Sequence, residues 1–511
     1  MSAQVLVRPT LDPLKDQVRE HYDQIAPERD KWYSRNAFYH SAVEQRVRDL
    51  IPPVSSVLEL GCGTGNLLAA IKPSRGVGVD ISTRMVEIAR DKYPQLRFEV
   101  GDAESLGIDE KFDFVVASDL IGELGDINAM FDSFRRVSHA SSKLILSFHS
   151  PTLEGILRLA QRTGAAMEPV RQNWVNVDTA RSLLALSDLR VVSENHSLLI
   201  PVPIPFVTSA ANRLLSGRRA FKYFDLLNLL VAEAVPNPSE PRPLRCSVVI
   251  PCRNELGNVD AAIERMPDLG PDTEIIFVDG ASTDGTKERI EEKIERYRGT
   301  KDIKLILQMP EADYGKQKDH PDAPTVMLKL GKGDAVRKGF DAAQGDVLMI
   351  LDADLTVPPE DLPRFLRPIA TGKGRFINGT RLVYPMEDRA MKFVNYVGNW
   401  FFSLLFTWLL EQSVHDTLCG TKVLLKSDYE QIKANRKYFG DFDPFGDFDL
   451  LFGAARLGIP IVEVPIRYRR RLAGVSKVRV SRHGWLLVGM SLVAFRRLKL
   501  AKWMGRLRPT R

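Results

Sequence analysis

The sequence predicts an α/β protein of two doubly wound domains, in which helices cover both faces of a mostly parallel sheet. Short apolar or β-branched runs alternate with longer amphipathic segments in both halves of the 511-residue chain. Four prolines between residues 236 and 243 interrupt this alternation, and neither a helix interior nor a central strand accommodates them. The expected organisation is a domain at 1–235, a linker at 236–244, a second domain at 245–480 and a basic amphipathic segment at 481–511.

Each half contains six runs that predict strands. In the first half they are 55–60, 75–80, 96–100, 112–118, 143–148 and 189–194. In the second half they are 246–251, 273–279, 303–307, 346–352, 375–379 and 459–465. Ligands of open α/β sheets bind at the carboxyl ends of the strands, so functional side chains are expected directly after these runs.

Composition narrows the class of protein. With 44% apolar and 27% charged residues the chain is typical of folded proteins, unlike collagen-like, disordered or coiled-coil sequences. Its four cysteines, at positions 62, 246, 252 and 419, are too few and too scattered for a disulfide framework or a zinc knuckle. The first residues contain no uninterrupted apolar stretch of the secretory type. We therefore expect a cytoplasmic protein.

The positive charge is concentrated near the C-terminus. Residues 465–511 contain fourteen Lys or Arg and no Asp or Glu, whereas the net charge of the whole chain is +6. The uncharged run 393–410 has the length of a membrane span, but Asn395 and Asn399 share one helical face, which favours an interfacial or core helix. These features predict peripheral contact with the cytoplasmic face of an anionic membrane; helices packed in the protein's own core are the alternative. No nucleic-acid-binding motif accompanies the basic run, so nucleic acid is not an expected partner.

The first half carries a glycine-rich turn after its first strand. In VLELGCGTGN the acid Glu59 precedes Gly61, Gly63 and Gly65. A dinucleotide fingerprint would need GxGxxG, and its phosphates would be repelled by an acid at this position. An acidic loop instead suits a cationic ligand that carries an aminoacyl group. Asp80 ends the second predicted strand and Asp102 follows the third, where a ribose and an adenine amino group can be bound.

The segments ELGCGTG, GVGVD, GDAE and FDFVVASDLI resemble class I S-adenosylmethionine-dependent methyltransferases, which have a Rossmann-like fold, over about residues 20–200. The resemblance implies a donor site whose glycines and Glu59 hold the methionine part, with Asp80 at the ribose, Asp102 and Ala103 at the adenine, and Asp119 beside the methionyl end. For the acceptor side the candidates are Asp119, His149, Gln172, Asn173 and Trp174, each of which also has an ordinary structural explanation. Many such enzymes have His after the fourth strand, where this chain has Glu123.

In the second half, too, polar residues lie at or directly after the ends of the predicted strands. Asn254 and Glu255 follow a strand that breaks at Pro251, and Asp279 ends the next strand. After the apolar run 346–351, Asp352 and Asp354 lie two residues apart and share one face. Two carboxylates together are unfavourable unless a cation or a proton neutralises them, and Mg²⁺ or Mn²⁺ bridging to a diphosphate fits this need.

The segments VIPCRNE, FVDGASTDGT, GKGDAVRKGF, LDADL and RLAGVSK resemble family 2 glycosyltransferases of GT-A fold over about residues 244–480, with the polyprenyl-phosphate enzymes as the nearest group. By this resemblance Asp352 lies near the ribose and the diphosphate, and Asp354, with Asp352, binds the metal. The other implied nucleotide-sugar contacts are Pro251, Asn254, Glu255, Asp279, Lys332, Ala353, Arg471 and Lys477.

Three acids are candidates for the base that takes the acceptor's proton in an inverting transfer. Asp416 lies where the family has an acceptor-side acid. Asp447 and Asp449 lie at the start of an amphipathic helix, where an Asp also serves as a cap. Asp416 and Asp449 are favoured equally.

The sequence therefore predicts a bifunctional transferase. It would methylate an acceptor from S-adenosylmethionine and transfer a sugar from a UDP- or GDP-linked donor to a glycan or polyprenyl-phosphate acceptor. Two alternatives stay open for the first domain: a binding module that localises an active glycosyltransferase, and an NAD-dependent oxidoreductase.

Overall fold

A computed structural model describes the chain in two compact units, Met1–Pro238 and Ser239–Arg511. Helices and strands here are numbered in chain order. The described residues are 13–164, 167–170, 172–218, 224–309, 331–381, 383–384, 393–412, 414–417, 419–436, 448–469, 471 and 488–500.

Within its described residues, the first unit is built on a seven-stranded sheet of order β3-β2-β1-β4-β5-β7-β6. The strands are β1 Ser56–Leu60, β2 Arg75–Asp80, β3 Arg97–Val100, β4 Phe112–Ser118, β5 Ser138–His149, β6 Leu189–Ser197 and β7 Leu227–Ala234. The helices are α1 Pro13–Ile25, α2 Arg29–Arg35, α3 Ala37–Leu50, α4 Asn66–Ile71, α5 Thr83–Lys92, α6 Ile127–Arg136, α7 Glu154–Arg162, α8 Val177–Leu186 and α9 Val207–Leu214. β7 runs antiparallel to both of its neighbours, and the pairs among β1 to β5 are parallel.

Burial against helices explains the apolar positions of the central strands. Val57 of β1, Val116 of β4 and Ile145 of β5 are buried against Val47 of α3 and Leu68 of α4. All six predicted strands of this half are present with small shifts at their ends. β7 was not predicted, because its run LNLLVAEA contains Leu, Ala and Glu, which have little preference for strands.

The second unit has a seven-stranded sheet of order β10-β9-β8-β11-β13-β12-β14 in its described part. The strands are β8 Cys246–Cys252, β9 Glu274–Asp279, β10 Asp302–Leu307, β11 Val347–Ile350, β12 Phe376–Thr380, β13 Lys422–Leu425 and β14 Ile461–Pro465. The helices are α10 Val259–Glu264, α11 Thr286–Arg296, α12 Lys332–Ala342, α13 Leu362–Ala370, α14 Phe393–Leu410, α15 Lys426–Ala434 and α16 Phe448–Arg456, and 488–500 are also helical.

Only β13 among these strands is antiparallel to its neighbours, β11 and β12. The six predicted strands are again present. β13 was not predicted because a run of four residues gives too little periodicity to recognise. The prediction of two α/β units with mostly parallel sheets is confirmed, and both sheets align the ends of their central strands for ligand binding.

The C-terminal half of α14 has one buried and one exposed side. Phe406 packs against Phe448 and Phe452 of α16, with ring centroids 5.4 and 5.6 Å away. Leu404 and Trp408 are more than half exposed. Across the parts of the chain that the structure describes, no helix combines the length and the apolarity needed to cross a membrane.

Candidate donor sites of the two units

A cavity of about 160 Å³ lies at the carboxyl ends of β1 to β4 in the first unit. Its lining includes predicted site residues that follow four different strands, namely Gly61, Gly63, Asp80, Asp102, Ala103 and Asp119. The parallel strands bring these positions to one edge although up to 58 residues separate them in sequence. The glycine turn and the three acids Asp80, Asp102 and Asp119 therefore surround one cavity.

Asp80 organises the turn. Its Oδ2 accepts a hydrogen bond from the Gly63 amide at 2.8 Å, and its Oδ1 accepts one from the Ser82 amide at 2.9 Å. Burial raises the pKa of Asp80, while these two amides oppose the shift by favouring the charged form. The carboxylate therefore joins the ends of β1 and β2 and borders the cavity.

Two of the glycines are required by backbone geometry and close packing. Gly61 has a φ of +69°, and a Cβ at this position would lie 2.8 Å from Cδ1 of Leu120. Gly65 has a φ of +79°, and a Cβ there would lie 2.7 Å from the Phe98 ring. Gly65 packs against β3 and is not part of the cavity lining.

Glu59 lies behind the turn, on a neighbouring cavity of about 80 Å³ that Asp119 also lines. It is buried, and its Oε2 accepts a hydrogen bond from the amide of Leu68 in the first turn of α4 at 3.0 Å. Burial raises its pKa well above the usual range. In the structure Glu59 therefore contacts the start of helix α4.

Helix α1 forms a wall of the larger cavity and was not identified from the sequence. Lys15 Nζ lies 2.5 Å from Asp102 Oδ2 and 2.8 Å from Glu104 Oε2. Leu14, Val18 and Tyr22 of the same helix line the cavity. The helix precedes β1 by more than thirty residues and contains no motif, so its sequence carried no signal of this placement.

Arg29 and Glu123 introduce opposite charges into the same cavity. Burial raises the pKa of Glu123 to about 7, against the hydrogen bond from Tyr22 and the charge of Arg29. Oε2 of Glu123 is buried without a hydrogen-bond partner in the structure. The sequence had drawn attention to Glu123 only as a departure from a family pattern.

Asp119 is held from the side of β5 and α3. Tyr39 donates its hydroxyl hydrogen bond to the Asp119 carboxylate, at 2.8 Å from Oδ2, and Ser147 Oγ lies 3.2 Å from Oδ1. The ring of Tyr39 also lies 5.4 Å from that of His149. This group lies on the β5 side of the cavity, away from Asp80 and Asp102.

The remaining acceptor-side candidates have structural contacts. Asn173 is buried, and its Nδ2 donates to the carbonyls of Ile121 and Leu124 at 2.9 and 2.7 Å. Gln172 Nε2 lies 3.4 Å from the Asn173 carbonyl, and Nε1 of Trp174 is buried without a hydrogen-bond partner in the structure. Asn173 thus secures the segment after β4.

In the second unit, Asp352 and Asp354 lie directly after β11, each beside a cation. Lys332 Nζ lies 2.6 Å from Asp352 Oδ1, and Arg471 Nη2 lies 2.7 Å from Asp354 Oδ2. Burial alone would raise the pKa of Asp352, but the positive charges around it, with Lys332 the strongest, lower it. Burial and the charge of Asp352 raise the pKa of Asp354.

Close packing surrounds this pair. Thr356 donates to Asp354 Oδ1 from its amide at 3.1 Å and from its hydroxyl at 2.8 Å. Ala353 between the two acids is buried. A Cβ on Gly420 would meet Asp352 Oδ2 and Lys332 Nζ, so a larger residue there would displace the ends of these two side chains.

The other predicted nucleotide contacts lie at the ends of β8 and β9. Asp279 is buried and accepts from the amide and hydroxyl of Ser282 at 3.1 and 2.5 Å. Asn254 has a φ of +52°, and its Oδ1 accepts from the Thr283 amide at 2.8 Å. The bonds of Asp279 shape the turn after β9, and the bond from Thr283 to Asn254 ties that turn to the end of β8.

Pro251 lies within β8, one residue before the end of the strand. The amide of Glu255 donates to Thr286 Oγ1 at 2.9 Å, and the Oε2 atom of Glu255 accepts from Asn258 Nδ2 at 2.8 Å.

The candidate bases are engaged by arginines. Asp416 is fully buried, and Arg381 donates to both of its carboxylate oxygens. Asp449 Oδ2 lies 3.2 Å from Arg436 Nε and 3.8 Å from Arg337 Nη1. Asp447 and Lys477 lie outside the described residues.

No group of three or more His, Cys, Asp or Glu side chains with metal-site geometry occurs among the residues described. The predicted metal site therefore rests on the two carboxylates after β11.

Comparison with known proteins agrees with the two units. Residues 57–140 match the family described as methyltransferase domain, and residues 247–309 and 328–432 match glycosyl transferase family 2. The undecaprenyl-phosphate mannosyltransferase of Micrococcus luteus is 27% identical over 280 residues, which cover 51% of this chain and 97% of the relative. The polyprenol monophosphomannose synthase of Mycolicibacterium smegmatis is 30% identical over 254 residues, covering 47% of this chain and 84% of the relative.

Among solved structures, the magnesium protoporphyrin IX methyltransferase of Synechocystis is 20% identical, with a TM-score of 0.33, covering 43% of this chain and 99% of that one. The chain belongs to glycosyltransferase family 2 through its second unit, and its first unit carries a methyltransferase domain.

Proposed function

We propose that the chain is a bifunctional transferase, with an S-adenosylmethionine-dependent methyltransferase in its first unit and a metal-dependent sugar transfer to polyprenyl phosphate in its second. The observation that carries the sugar-transfer proposal is the pair Asp352 and Asp354 at a strand end, each beside a cation suited to phosphate. The observation that carries the methyl-transfer proposal is the single cavity lined by the glycine turn and by acids from three further strands.

The charges around the first cavity suit a sulfonium donor with an amino-acid end. In this proposal Asp80 accepts hydrogen bonds from the ribose hydroxyls. Arg29, whose Nε would lie 3.9 Å from a Cβ on Gly63, pairs with the methionyl carboxylate. Glu123 balances the positive charge of the sulfonium group. A pyrophosphate would meet Glu123, Asp80 and Asp119 together, which disfavours the dinucleotide alternative.

Methyl transfer is an in-line displacement, so positioning and exclusion of water supply most of the rate. The acceptor atom would approach from the β5 side, where Tyr39 and Ser147 hold Asp119. Asp119 and Glu123 are the carboxylates available to orient an acceptor or to take its proton.

The residues after β11 fit a divalent cation. Mg²⁺ is commonly held by one or two carboxylates together with substrate phosphates. Burial and, after it, repulsion from Asp352 raise the pKa of Asp354, and a bound cation would relieve that repulsion. Bound by Asp352 and Asp354, the ion would neutralise charge on the diphosphate. Lys332 and Arg471, which now pair with these acids, would turn to the phosphate oxygens.

The pairing of the candidate bases with arginines is consistent with a sugar acceptor that carries a phosphate group. A phosphomonoester has its second pKa near 6, so its oxygen is already charged at neutral pH and needs no base. Asp416 and Asp449 are both paired with arginines, so neither is a free proton acceptor. The mannose-transferring relatives, one named for undecaprenyl phosphate and one for a polyprenol, make a polyprenyl phosphate the first acceptor to test.

The test is a transfer assay on the full chain with radiolabelled GDP-mannose and UDP-glucose. Undecaprenyl phosphate and undecaprenol are compared as acceptors, with Mg²⁺ or with EDTA. Label in the organic phase only with the phosphate, and only with the metal, supports the proposal. Equal labelling of undecaprenol would require a base and would contradict it. Asp354→Asn is the matched variant that should lose transfer.

The alternative interpretation of the first unit is a binding module that localises an active glycosyltransferase. It predicts that S-adenosylmethionine binds while no lipid or glycan extract becomes methylated. Methyl transfer from labelled donor into an extract, absent in Asp80→Asn, rejects this reading.

A further inference from the structure

Two segments of the first unit, each containing a loop and a helix, begin side by side at the carboxyl ends of strands β5 and β6. His149 at the end of β5 and Ser197 at the end of β6 both pair with Leu227 at the start of β7. The Ser150 amide donates to the Leu226 carbonyl at 3.1 Å, and the Leu226 amide donates to the Leu198 carbonyl at 3.0 Å. The segments 150–164 and 198–218 thus share one base. Together they are called here the acceptor-side surface.

The acceptor-side surface exposes apolar side chains. The six consecutive residues 202–207, with the sequence VPIPFV, are all exposed and all apolar. Phe206 at the tip is 93% exposed and has a φ of +63°, a strained conformation for a bulky residue. On α7, Ile156 and Leu159 are 67% and 63% exposed. Isolated exposed apolar residues are ordinary, but a continuous run with a strained aromatic tip indicates a binding role.

Several backbone polar groups of segment 198–218 are hydrogen-bonded within the segment. Thr208 Oγ1 donates to the Val202 carbonyl at 2.6 Å and accepts from the Ile204 amide at 2.9 Å. Asn212 bonds both the amide and the carbonyl of Ile200, at 2.9 and 3.0 Å. A loop that enters hydrocarbon must satisfy its backbone in this way, because no water is there to do so.

The flanking charge is positive. Arg158, Arg162, Arg213 and Arg218 are exposed, and Glu154 is the one acid within 150–164 and 198–218. Four positive charges less one give a net charge of +3 for the two segments. Glu154 pairs with Arg158 at 2.5 Å, so three arginines have no acid within these segments to balance them. Apolar tips surrounded by arginines suit a surface of acyl chains and anionic headgroups.

We propose that the acceptor-side surface docks the first unit onto an anionic lipid bilayer, with Phe206 and its neighbours inserted among the lipids. The methyl acceptor would then approach from the membrane side, because this surface lies on the β5 side of Asp119. A protein partner would not require the internally bonded backbone, and the prolines at 203 and 205 prevent strand addition to the tip. Docking of this kind does not depend on which acceptor is methylated.

The test places an environment-sensitive fluorophore at the tip. All four native cysteines are buried, so Phe206→Cys provides one exposed thiol in the full chain for an NBD label. The matched control is Val54→Cys, since Val54 is 84% exposed but precedes β1 at the opposite edge of the sheet. Vesicles of phosphatidylcholine alone and of phosphatidylcholine with phosphatidylglycerol are compared. Sedimentation alone would not show which part of the chain contacts the vesicles, so emission at each position is the deciding measurement.

We expect a several-fold increase and a blue shift of emission at position 206 with anionic vesicles, with much less on neutral vesicles and none at position 54. Replacing Arg158 and Arg213 together with Gln should weaken the response at 206. No change at position 206 with anionic vesicles would overturn the proposal, whether or not the chain sediments with them. A blue-shifted label before vesicles are added would also overturn it. That shift would assign the surface to a second copy if it depended on protein concentration, and to the chain itself if it did not.

Discussion

Arg381 binds both carboxylate oxygens of Asp416, with its Nε 2.6 Å from Oδ2 and its Nη2 2.8 Å from Oδ1. The Arg381 amide adds a third hydrogen bond to Oδ2 at 3.0 Å, and Asp416 is fully buried. A carboxylate so bound is stabilised as an anion and has little capacity to accept a substrate proton. The relationship makes Asp416 a structural partner of the loop after β12.

This pairing predicts that Asp416→Asn acts mainly through stability. Removing one partner of a buried ion pair leaves the other uncompensated and typically costs about 3–5 kcal/mol. Urea unfolding followed at the second unit should show a lower midpoint. In the protein that stays folded, the sugar-transfer rate should keep its pH profile. If the variant lost a limb of the pH profile while its urea midpoint stayed unchanged, Asp416 would instead act as the base.

The pKa of Glu123, raised to about 7, predicts a pH-dependent preference for the cationic donor. Below this pH the carboxyl group is neutral, and above it the group is charged and attracts a sulfonium. The affinity for S-adenosylmethionine relative to S-adenosylhomocysteine should therefore rise as the pH passes upward through 7. Calorimetry between pH 6 and 8 measures the ratio. Glu123→Gln should remove the rise, and a rise that persists in that variant would show that another group causes it.

Gly61 and Gly164 allow backbone strain to be separated from steric clash. Their φ values are +69° and +70°, but a Cβ on Gly61 meets Leu120 at 2.8 Å, whereas one on Gly164 meets nothing within 4 Å. Ala at either position should cost about 1 kcal/mol or more from strain. Gly61→Ala should lose further stability and weaken donor binding at least tenfold. Thermal unfolding and donor titration compare the two variants; equal effects would mean that the contact with Leu120 yields without cost.

Arg471 is predicted to exchange its partner when the nucleotide binds. It lies 2.7 Å from Asp354 in the structure, and a diphosphate offers it a stronger, bidentate partner. Arg471→Met should weaken nucleoside diphosphate binding about tenfold or more while leaving methyl-donor binding unchanged. Arg298→Met is a suitable control, because this exposed arginine pairs only with neighbouring Glu295 among the ion pairs described. Equal affinity in wild type and Arg471→Met would exclude a phosphate role for Arg471.

The sequence predicted the fold well where periodicity and turn chemistry were strong. Twelve strands followed from apolar runs, and the glycine turn, Asp80, Asp352 and Asp354 were marked by their position directly after a strand. β13 was missed because a four-residue strand has little pattern.

The parts of the sites that could not be predicted depend on tertiary placement. Lys15, Tyr22 and Arg29 reach the first cavity from helices that precede the sheet, and nothing in their spacing indicates it. Likewise, the pairing of Arg381 with Asp416 joins residues 35 positions apart. Such contacts follow from how loops pack over the strand ends, which local sequence does not encode.

Two donor sites of different chemistry are proposed to work in one chain. Calorimetric titration of the full chain with S-adenosylmethionine, and separately with UDP and GDP in the presence of Mg²⁺, tests for both sites. The wild type is compared with Asp80→Asn and Asp354→Asn. We expect S-adenosylmethionine binding to fall at least tenfold only in Asp80→Asn, and binding of one nucleoside diphosphate to fall as much only in Asp354→Asn. Unchanged nucleotide binding in Asp354→Asn, or loss of both ligands in one folded variant, would contradict this proposal.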